Sequence, residues 1–262
     1  MKKSWALITG ASSGIGWELA GILAKDGHSL VLVARSEGKL KELAGDLAAR
    51  YGVGVDVLAR DLAKPDMAAQ VMADLDQKGI ALDILVNNAG FGEFGEFKDT
   101  PWEREAEMIQ LNITALTQLT KLCLPGMLKR KQGRIMNVAS TAAFQPGPLM
   151  SVYYATKAYV LHFSEAIANE LKGTGVTVTT LCPGPTISGF QAAANLTQSK
   201  LVKGRRLPSS ADVAKYGYAA MMRGQGVAIH GAPNKFIQFA VRFMPRRLTT
   251  EAVRKYQETK TT

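Results

Sequence analysis

The sequence predicts one doubly wound α/β domain, in which a parallel sheet of about seven strands carries helices on both faces. Short apolar runs rich in β-branched residues alternate with helical patterns, which is typical of such sheets. Gly, Pro, Asn and Ser cluster after several of these runs, where parallel sheets bind their ligands. The chain has 262 residues, 47% of them hydrophobic, and no repeat or linker divides it, so residues 1–262 are predicted to form a single domain.

The predicted elements follow the chain in strict alternation. The strands are predicted at Trp5–Thr9, Leu30–Ala34, Val53–Ala59, Asp83–Val86, Arg134–Ala139, Val176–Leu181 and Val227–His230. Helical patterns lie between them, at about residues 15–26, 37–51, 65–78, 101–131, 150–172 and 209–222. This order places each helix between two strands, as the crossover connections of a parallel sheet require.

Composition narrows the classes of protein to which the chain can belong. No apolar run approaches the roughly eighteen residues of a membrane span, and the N-terminal apolar stretch reaches Gly10 too soon for a signal peptide. We therefore expect a cytoplasmic protein. Cys123 and Cys182 lack metal-ligand spacing and are predicted to be buried free thiols. The three histidines are scattered, and no metal site is predicted.

The net charge of +10 is concentrated near the C-terminus. Residues 1–200 carry 20 basic and 19 acidic side chains, whereas residues 201–262 carry 12 and 3. A solvated face, attraction for phosphorylated cofactors or acidic carriers, and contact with an anionic membrane are competing interpretations. No aromatic-interleaved basic motif is present, so nucleic-acid binding is not predicted.

Two segments depart from the regular alternation. Residues 185–207 follow a strand's carboxyl end and contain Pro185 and Gly189, so they are predicted to form a substrate loop over the ligand crevice, with an ordinary surface excursion as the alternative. The basic C-terminal segment, residues 232–262, contains an apolar helical pattern. It can pack on the domain, mediate oligomerisation or rest on an anionic membrane; packing is the preferred interpretation.

A candidate catalytic group lies at the start of the fifth predicted helix. Tyr153 and Lys157 have the i,i+4 spacing that places two side chains on one helix face. A cation near a phenol favours the phenolate, and Ser140, thirteen residues upstream, can hold a substrate oxygen against Tyr153. The pair alone is a weak signal, because Tyr and Lys occur at this spacing in many helices by chance.

A glycine-rich turn after the first strand predicts a phosphate-binding site. The turn runs from Gly10 through Ser12, Ser13, Gly14 and Ile15 to Gly16. Glycines allow close approach of a pyrophosphate, which the amides at a helix N-terminus stabilise. Many strand-to-helix turns need glycine, so the position after the first strand of an alternating chain strengthens the prediction.

Taken together, these motifs resemble the classical short-chain dehydrogenases/reductases. The resemblance covers about residues 4–231 and includes the glycine turn, Asn87-Asn-Ala-Gly90, Asn112, Ser140, Tyr153-x-x-x-Lys157 and Pro183-Gly184, in the family's order. It implies a Rossmann-type domain, a nicotinamide cofactor and a carbonyl or alcohol substrate. Tyr153 would act as acid and base, Ser140 would bind the substrate oxygen, and Lys157 would lower the tyrosine pKa while holding the nicotinamide ribose.

The end of the second strand predicts which nicotinamide cofactor is used. An acid at this place usually accepts hydrogen bonds from the adenosine ribose of NAD. The chain instead has Arg35, which can bind a 2′-phosphate through charge-assisted hydrogen bonds, although a solvated loop arginine is the alternative. We therefore predict NADP(H).

The resemblance assigns further positions around the cofactor. Asp61 and Leu62 would border the adenine, and Asn88 and Gly90 would line the ribose and nicotinamide side. The stretch that would hold the carboxamide contains Pro183, Gly184, Thr186 and Ser188. Asn112 would order a water that links Lys157 to solvent. Each of these residues has a simpler alternative role in turn formation or packing.

The substrate is predicted only by class. Aromatic and aliphatic residues flank the expected site and favour a lipophilic ketone, aldehyde or secondary alcohol: Phe91, Phe94, Phe97, Phe144, Leu149 and Phe190. Family resemblance also implies a homo-dimer or homo-tetramer. The alternative function is a catalytically silent, NADP-binding regulatory protein, although such a protein would be expected to lack one of the catalytic residues.

Overall fold

A sheet of parallel strands is the centre of the fold in the computed structural model, which describes residues 4–187, 194 and 207–258. Among these residues the sheet has seven strands, in the order β3-β2-β1-β4-β5-β6-β7. The strands are β1 Trp5–Thr9, β2 Ser29–Ala34, β3 Val55–Ala59, β4 Leu82–Asn87, β5 Gly133–Val138, β6 Val176–Cys182 and β7 Val227–Ile229. The predicted doubly wound fold class is confirmed.

The helices connect the strands and cover both faces of the sheet. They are α1 Gly14–Lys25, α2 Glu37–Tyr51, α3 Met67–Gln77, α4 Trp102–Ile109, α5 Leu116–Arg130, α6 Ser151–Glu170, α7 Ser210–Met222, α8 Ala232–Val241 and α9 Arg246–Gln257. A π-helical turn, Gln110–Ala115, joins α4 to α5, and a 3-10 turn, Thr141–Phe144, follows β5. The long helix predicted over residues 101–131 is therefore interrupted by a π turn.

Alternate strand residues face two separate cores. Ile8 and Leu32 belong to the core beneath α1, α2 and α7, whereas Leu7 and Val33 belong to the core beneath α3 and α5. All four are fully buried, so β1 and β2 are apolar on both sides. This double burial explains why the strands appear in the sequence as continuous apolar runs.

A buried polar network fixes the helix that carries the candidate catalytic pair. Asn87 Nδ2 on β4 donates to Thr120 Oγ1 on α5 at 3.0 Å and to Asn137 Oδ1 on β5 at 2.9 Å. Asn137 Nδ2 donates in turn to Ser164 Oγ on α6 at 2.9 Å. Because unpaired buried polar groups are costly, this network specifies how α6 lies on β4 and β5.

The strand order reverses direction between β1 and β4, and this is where a doubly wound sheet forms its ligand crevice. Within the described ranges, no helix has the length and apolar character needed to cross a membrane. The same residues contain no group of three or more His, Cys, Asp or Glu side chains arranged to hold a metal ion.

Candidate active site

The turn between β1 and α1 is shaped for close approach of an anion. Gly10 and Gly14 have φ of 66° and 58°, in the left-handed region that favours glycine. A Cβ at Gly10 would lie 2.8 Å from Asn88 Nδ2, and one at Gly16 would lie 2.5 Å from the same atom. The N-terminus of α1, preceded by Ser13, therefore faces the crevice with exposed amides and a favourable dipole.

Asn88 braces this turn as well as lining the crevice. Its Nδ2 donates to Thr9 O at 3.0 Å and to Gly10 O at 3.2 Å, and its backbone N donates to Thr9 Oγ1 at 3.0 Å. The side-chain amide is therefore engaged by the backbone of the turn.

A cavity of about 810 Å³ extends along the carboxyl edge of the sheet and contains most of the predicted site. The predicted residues that line it are Gly10, Ser12, Ser13, Gly14, Ile15, Arg35, Asp61, Leu62, Asn88, Gly90, Ser140, Tyr153, Lys157, Pro183, Gly184 and Thr186. Gly16 lies behind the turn, and Asn112 lies behind Gly90. Ser188 is outside the described residues, as is most of the predicted substrate loop.

The end of the cavity near β2 and β3 is polar. Arg35 follows β2 and is exposed, and none of the ion pairs among the described residues involves it. Glu37, two residues away, is paired with Lys41 at 2.7 Å. Asp61 Oδ1 accepts a hydrogen bond from Ala63 N at 3.1 Å, which orders the turn after β3.

Ser140, Tyr153 and Lys157 meet where β5 ends against α6. Ser140 Oγ accepts from Ala142 N at 3.1 Å and donates to Pro183 O at 3.4 Å, so its position is set by two neighbouring loops. Lys157 Nζ donates to Val138 O at 2.8 Å and lies 5.8 Å from the centroid of the Tyr153 ring. The two hydroxyls and the ammonium therefore share one wall of the cavity.

Burial governs the acid–base properties of this wall. Burial raises the pKa of Tyr153 to about 12, and a hydrogen bond with Ser140 opposes part of that rise. Burial also lowers the pKa of Lys157 to about 8, with a smaller opposing effect from Cys182. Burial is thus the largest influence on the pKa of Tyr153, and the lowering of that pKa by Lys157 stays a prediction.

Asn112 lies in the π-helical turn and is 1% exposed. Its Nδ2 donates to Phe91 O and to Thr156 Oγ1, both at 3.0 Å, and its Oδ1 accepts from Phe91 N at 3.2 Å. A Cβ at Gly90 would lie 2.9 Å from Asn112 Oδ1 and 3.4 Å from Lys157 Nζ. Gly90 thus leaves open the small space between the amide and the ammonium.

Adjacent Tyr154 is the other phenol of this region. It is 8% exposed, and its ring packs edge-to-face on Tyr153 with centroids 6.1 Å apart. Burial raises the pKa of Tyr154 as well. No hydroxyl comparable to Ser140 is bonded to it among the described residues, so it provides a matched control for Tyr153.

The C-terminal segment packs against the loop that follows β6. Asn234 on α8 lies so near Gly184 that a Cβ there would be 2.6 Å from Asn234 Nδ2. Thr186 Oγ1 donates to Gly184 O at 2.9 Å. This part of the cavity wall is therefore assembled from β6 and α8 together.

The cavity wall formed by the C-terminal helices was not predicted from the sequence. Further residues line the cavity that were not predicted as site residues, among them Arg60, Gln145, Met150, Asn234, Ile237, Gln238, Val241, Thr249, Val253 and Tyr256. Among the described apolar candidates, Phe91 lines the cavity, whereas Phe97 is 67% exposed elsewhere. The signal in the sequence was the apolar helical pattern within the basic C-terminal segment, residues 232–262.

A protein-family model described as short chain dehydrogenase matches residues 4–199, about three quarters of the chain. The chain belongs to the short-chain dehydrogenase/reductase family. A very-long-chain 3-oxoacyl-CoA reductase of Anas platyrhynchos is 38% identical over 185 residues, a match that covers 69% of this chain and 59% of that relative. The chain thus spans about three fifths of that relative's length.

Two solved structures of the family extend the comparison over nearly the whole chain. A short-chain dehydrogenase from Sphingobium yanoikuyae in complex with NADPH is 32% identical with a TM-score of 0.82, and the match covers 99% of this chain and 100% of that one. The bulky-bulky ketone specific alcohol dehydrogenase from Comamonas testosteroni is 29% identical with a TM-score of 0.78, over 94% and 96% of the two chains.

Proposed function

We propose that the protein is an NADP(H)-dependent oxidoreductase that interconverts a lipophilic ketone or aldehyde and the corresponding secondary or primary alcohol. One observation carries this proposal. The glycine turn lines the same cavity as Ser140, Tyr153 and Lys157, and apolar side chains of α8 and α9 close that cavity on the far side. The cavity could therefore hold a nucleotide beside the glycine turn and an apolar carbonyl compound beside α8 and α9.

The residues present suit the cofactor. Gly10 and Gly14 have no side chain that would obstruct a pyrophosphate, and the N-terminus of α1 offers it amides and a dipole. Lys157 is positioned to bind a ribose hydroxyl while keeping its bond to Val138 O. The chemistry supplied by a bound nicotinamide is transfer of a hydride to or from the reacting carbon.

The protein's own part in the reduction is to bind the carbonyl oxygen and deliver a proton. Ser140 and Tyr153 would donate hydrogen bonds to that oxygen as negative charge develops on it. Burial raises the pKa of Tyr153, so the phenol carries its proton at neutral pH and would release it to the substrate oxygen only when the resulting phenolate is stabilised. A hydride on carbon and the tyrosine proton on oxygen complete the alcohol, and Lys157 supplies positive charge beside the phenolate that remains.

Arg35 supports NADP(H) over NAD(H). It lies at the cavity's nucleotide end with its charge uncompensated by an ion pair among the described residues, while nearby Glu37 is neutralised by Lys41. A guanidinium in this position can bind a 2′-phosphate with two parallel hydrogen bonds. The relative from Sphingobium yanoikuyae is a complex with NADPH, which agrees with this choice.

The apolar wall supports a bulky, lipophilic substrate. Met150, Ile237, Val241 and Val253 line the cavity beyond the catalytic wall. The similar proteins include a very-long-chain 3-oxoacyl-CoA reductase and a bulky-bulky ketone specific alcohol dehydrogenase. We therefore favour a ketone with two sizeable apolar substituents, or a 3-oxoacyl thioester, as the substrate over sugars and small aldehydes.

Turnover of a carbonyl panel with NADPH and NADH tests the proposal. The panel contains bulky aryl ketones, 3-oxoacyl thioesters and sugars, and each is run with the wild type, Tyr153→Phe and Tyr154→Phe. We expect NADPH-dependent reduction of a lipophilic member, a loss of at least about a thousandfold in Tyr153→Phe, as removal of an acid–base group implies, and near-normal activity in Tyr154→Phe. NADPH binding should be retained in both variants.

Two outcomes would contradict the proposal. Retained turnover in Tyr153→Phe would remove that residue's acid–base role. Tight NADPH binding without turnover of any panel member, in the wild type, would favour the silent regulatory protein instead.

A further inference from the structure

Helix α8 presents two opposite sides with different surroundings. One side, with Asn234, Gln238 and Val241, lines the cavity. The other side is a phenylalanine face made of Phe236, Phe239 and Phe243, which are 72%, 60% and 75% exposed. Single exposed apolar residues are common, but three aromatic side chains on one face form a patch that marks an interaction site.

The phenylalanine face is ordered by its own contacts. Positions 236, 239 and 243 fall within one narrow sector of a helix, and the turn after α8 keeps Phe243 in line because its N donates to Ala240 O at 3.0 Å. The rings of Phe239 and Phe243 pack edge-to-face with centroids 5.2 Å apart. The rings of the phenylalanine face are therefore held in place before any partner binds.

The stretch of chain that carries this face is basic. Lys235, Arg242, Arg246 and Arg247 are all exposed, and the sequence from residue 232 to residue 250 contains no Asp or Glu. Arg247 pairs with Glu251 of its own helix at 3.5 Å. In the part of the chain that the structure describes, the other three basic residues have no ion pair.

We infer that the phenylalanine face docks on the surface of an anionic lipid bilayer. Aromatic side chains flanked by arginine and lysine suit the boundary between acyl chains and anionic headgroups. A second copy of the chain is disfavoured as the occupant, because a two-fold contact would bring two sets of these cations together and residues 232–250 contribute no acid to pair with them. Docking needs only side-chain insertion by α8 and the turn after it.

The docked orientation would connect the bilayer with the cavity. Ile237 and Met244 line the cavity, yet they are 51% and 41% exposed, so they lie at its mouth. Both adjoin the phenylalanine face along the chain. A lipophilic substrate dissolved in the bilayer would then enter the cavity past these two residues without crossing bulk water. This last step rests on the proposed function, whereas docking itself does not.

Flotation of the full chain with lipid vesicles tests the docking. Vesicles of phosphatidylcholine with one fifth phosphatidylserine are compared with pure phosphatidylcholine, at low and high salt. We expect binding to the anionic vesicles at least about tenfold stronger than to the neutral ones, and weaker at high salt. Phe236→Ser with Phe243→Ser, and separately Arg242→Gln with Arg246→Gln, should each lower the affinity about tenfold or more.

Matched controls keep the result specific to α8. Trp102→Ser, at a residue 66% exposed on α4, and Lys121→Gln with Lys129→Gln, on α5, should leave vesicle affinity within about twofold. Reduction of a water-soluble ketone should be unchanged in both the phenylalanine and the arginine double variants, provided that circular dichroism shows them to be folded. Because vesicle binding is measured without turnover, failure of the docking and failure of the proposed activity are distinguishable.

Three results would overturn the inference. The first is equal or absent binding to both vesicle types. The second is a dimer in sedimentation velocity that Phe236→Ser with Phe243→Ser dissociates, without any vesicle binding by the wild type. The third is binding to a single-stranded oligonucleotide or to an acidic protein in place of the vesicles.

Discussion

Replacing Lys157 with methionine should reveal how much stability the protein loses by burying a cation at the candidate active site. Lys157 is 5% exposed, and burial lowers its pKa from 10.5 to about 8. A difference of this size corresponds to about 3 kcal/mol of disfavoured charge. Below about pH 8 the folded and unfolded chains both hold the proton, so the full cost is present.

Between about pH 8 and 10.5 the unfolded chain keeps the lysine proton that the folded chain has released, so folding becomes more favourable as pH rises. The unfolding free energy of the wild type, measured relative to Lys157→Met, should therefore rise by about 2 kcal/mol or more between pH 7 and pH 10. The lost hydrogen bond to Val138 O adds a difference that does not vary over this range.

Urea unfolding of the cofactor-free protein at several pH values measures this difference. The control is Lys121→Met, on an exposed part of α5, whose difference from the wild type should stay flat. A flat difference for Lys157→Met as well would refute the reasoning, because it would mean that the buried lysine titrates as it does in water. The variant should also lose turnover while remaining folded.

Three further perturbations act on other parts of the site and fold. Arg35→Ser should raise the KM for NADPH about tenfold or more and leave the KM for NADH unchanged, since a charge-assisted hydrogen bond contributes about 1.5–3 kcal/mol. Equal effects on the two KM values would contradict binding of the 2′-phosphate by Arg35. Gly90→Ala would place a methyl group 2.9 Å from Asn112 Oδ1, so kcat should fall about tenfold while circular dichroism shows an intact fold. An unchanged kcat would contradict a functional role for the space between Asn112 and Lys157. Asn137→Leu interrupts the buried network between β4, β5 and α6 and should cost about 2–4 kcal/mol in urea unfolding; a loss under about 0.5 kcal/mol would show that the network does not hold α6.

The fold and the nucleotide end of the site were predictable because their signals are local. The strands are buried on both faces, so they appear as apolar runs, and the glycine turn follows β1 directly in the sequence. The i,i+4 spacing of Tyr153 and Lys157 likewise needs only a helix to bring the two side chains together. These features depend on residues near one another in the chain.

Other features depend on tertiary contacts and were not predictable. The pKa of Tyr153 is set by burial, which requires elements far apart in sequence to close around it. The π-helical turn at Asn112 leaves the apolar pattern of a long helix almost unchanged, so the pattern at residues 101–131 did not reveal it. The C-terminal helices α8 and α9 both line the cavity, and the residue pattern of α8 did not indicate which of its sides faces inward.

The C-terminal wall has a consequence for how such enzymes change over evolution. The glycine turn and the catalytic group lie within residues 4–199, which match the family model, whereas α8 and α9 follow that stretch. Under the proposed function, the residues that would perform the chemistry are therefore encoded within residues 4–199, whereas Ile237, Val241 and Val253 of the apolar wall are encoded after that stretch. Mutations can reshape this part of the wall while hydride-transfer chemistry is preserved, so new substrate ranges can arise without rebuilding the catalyst.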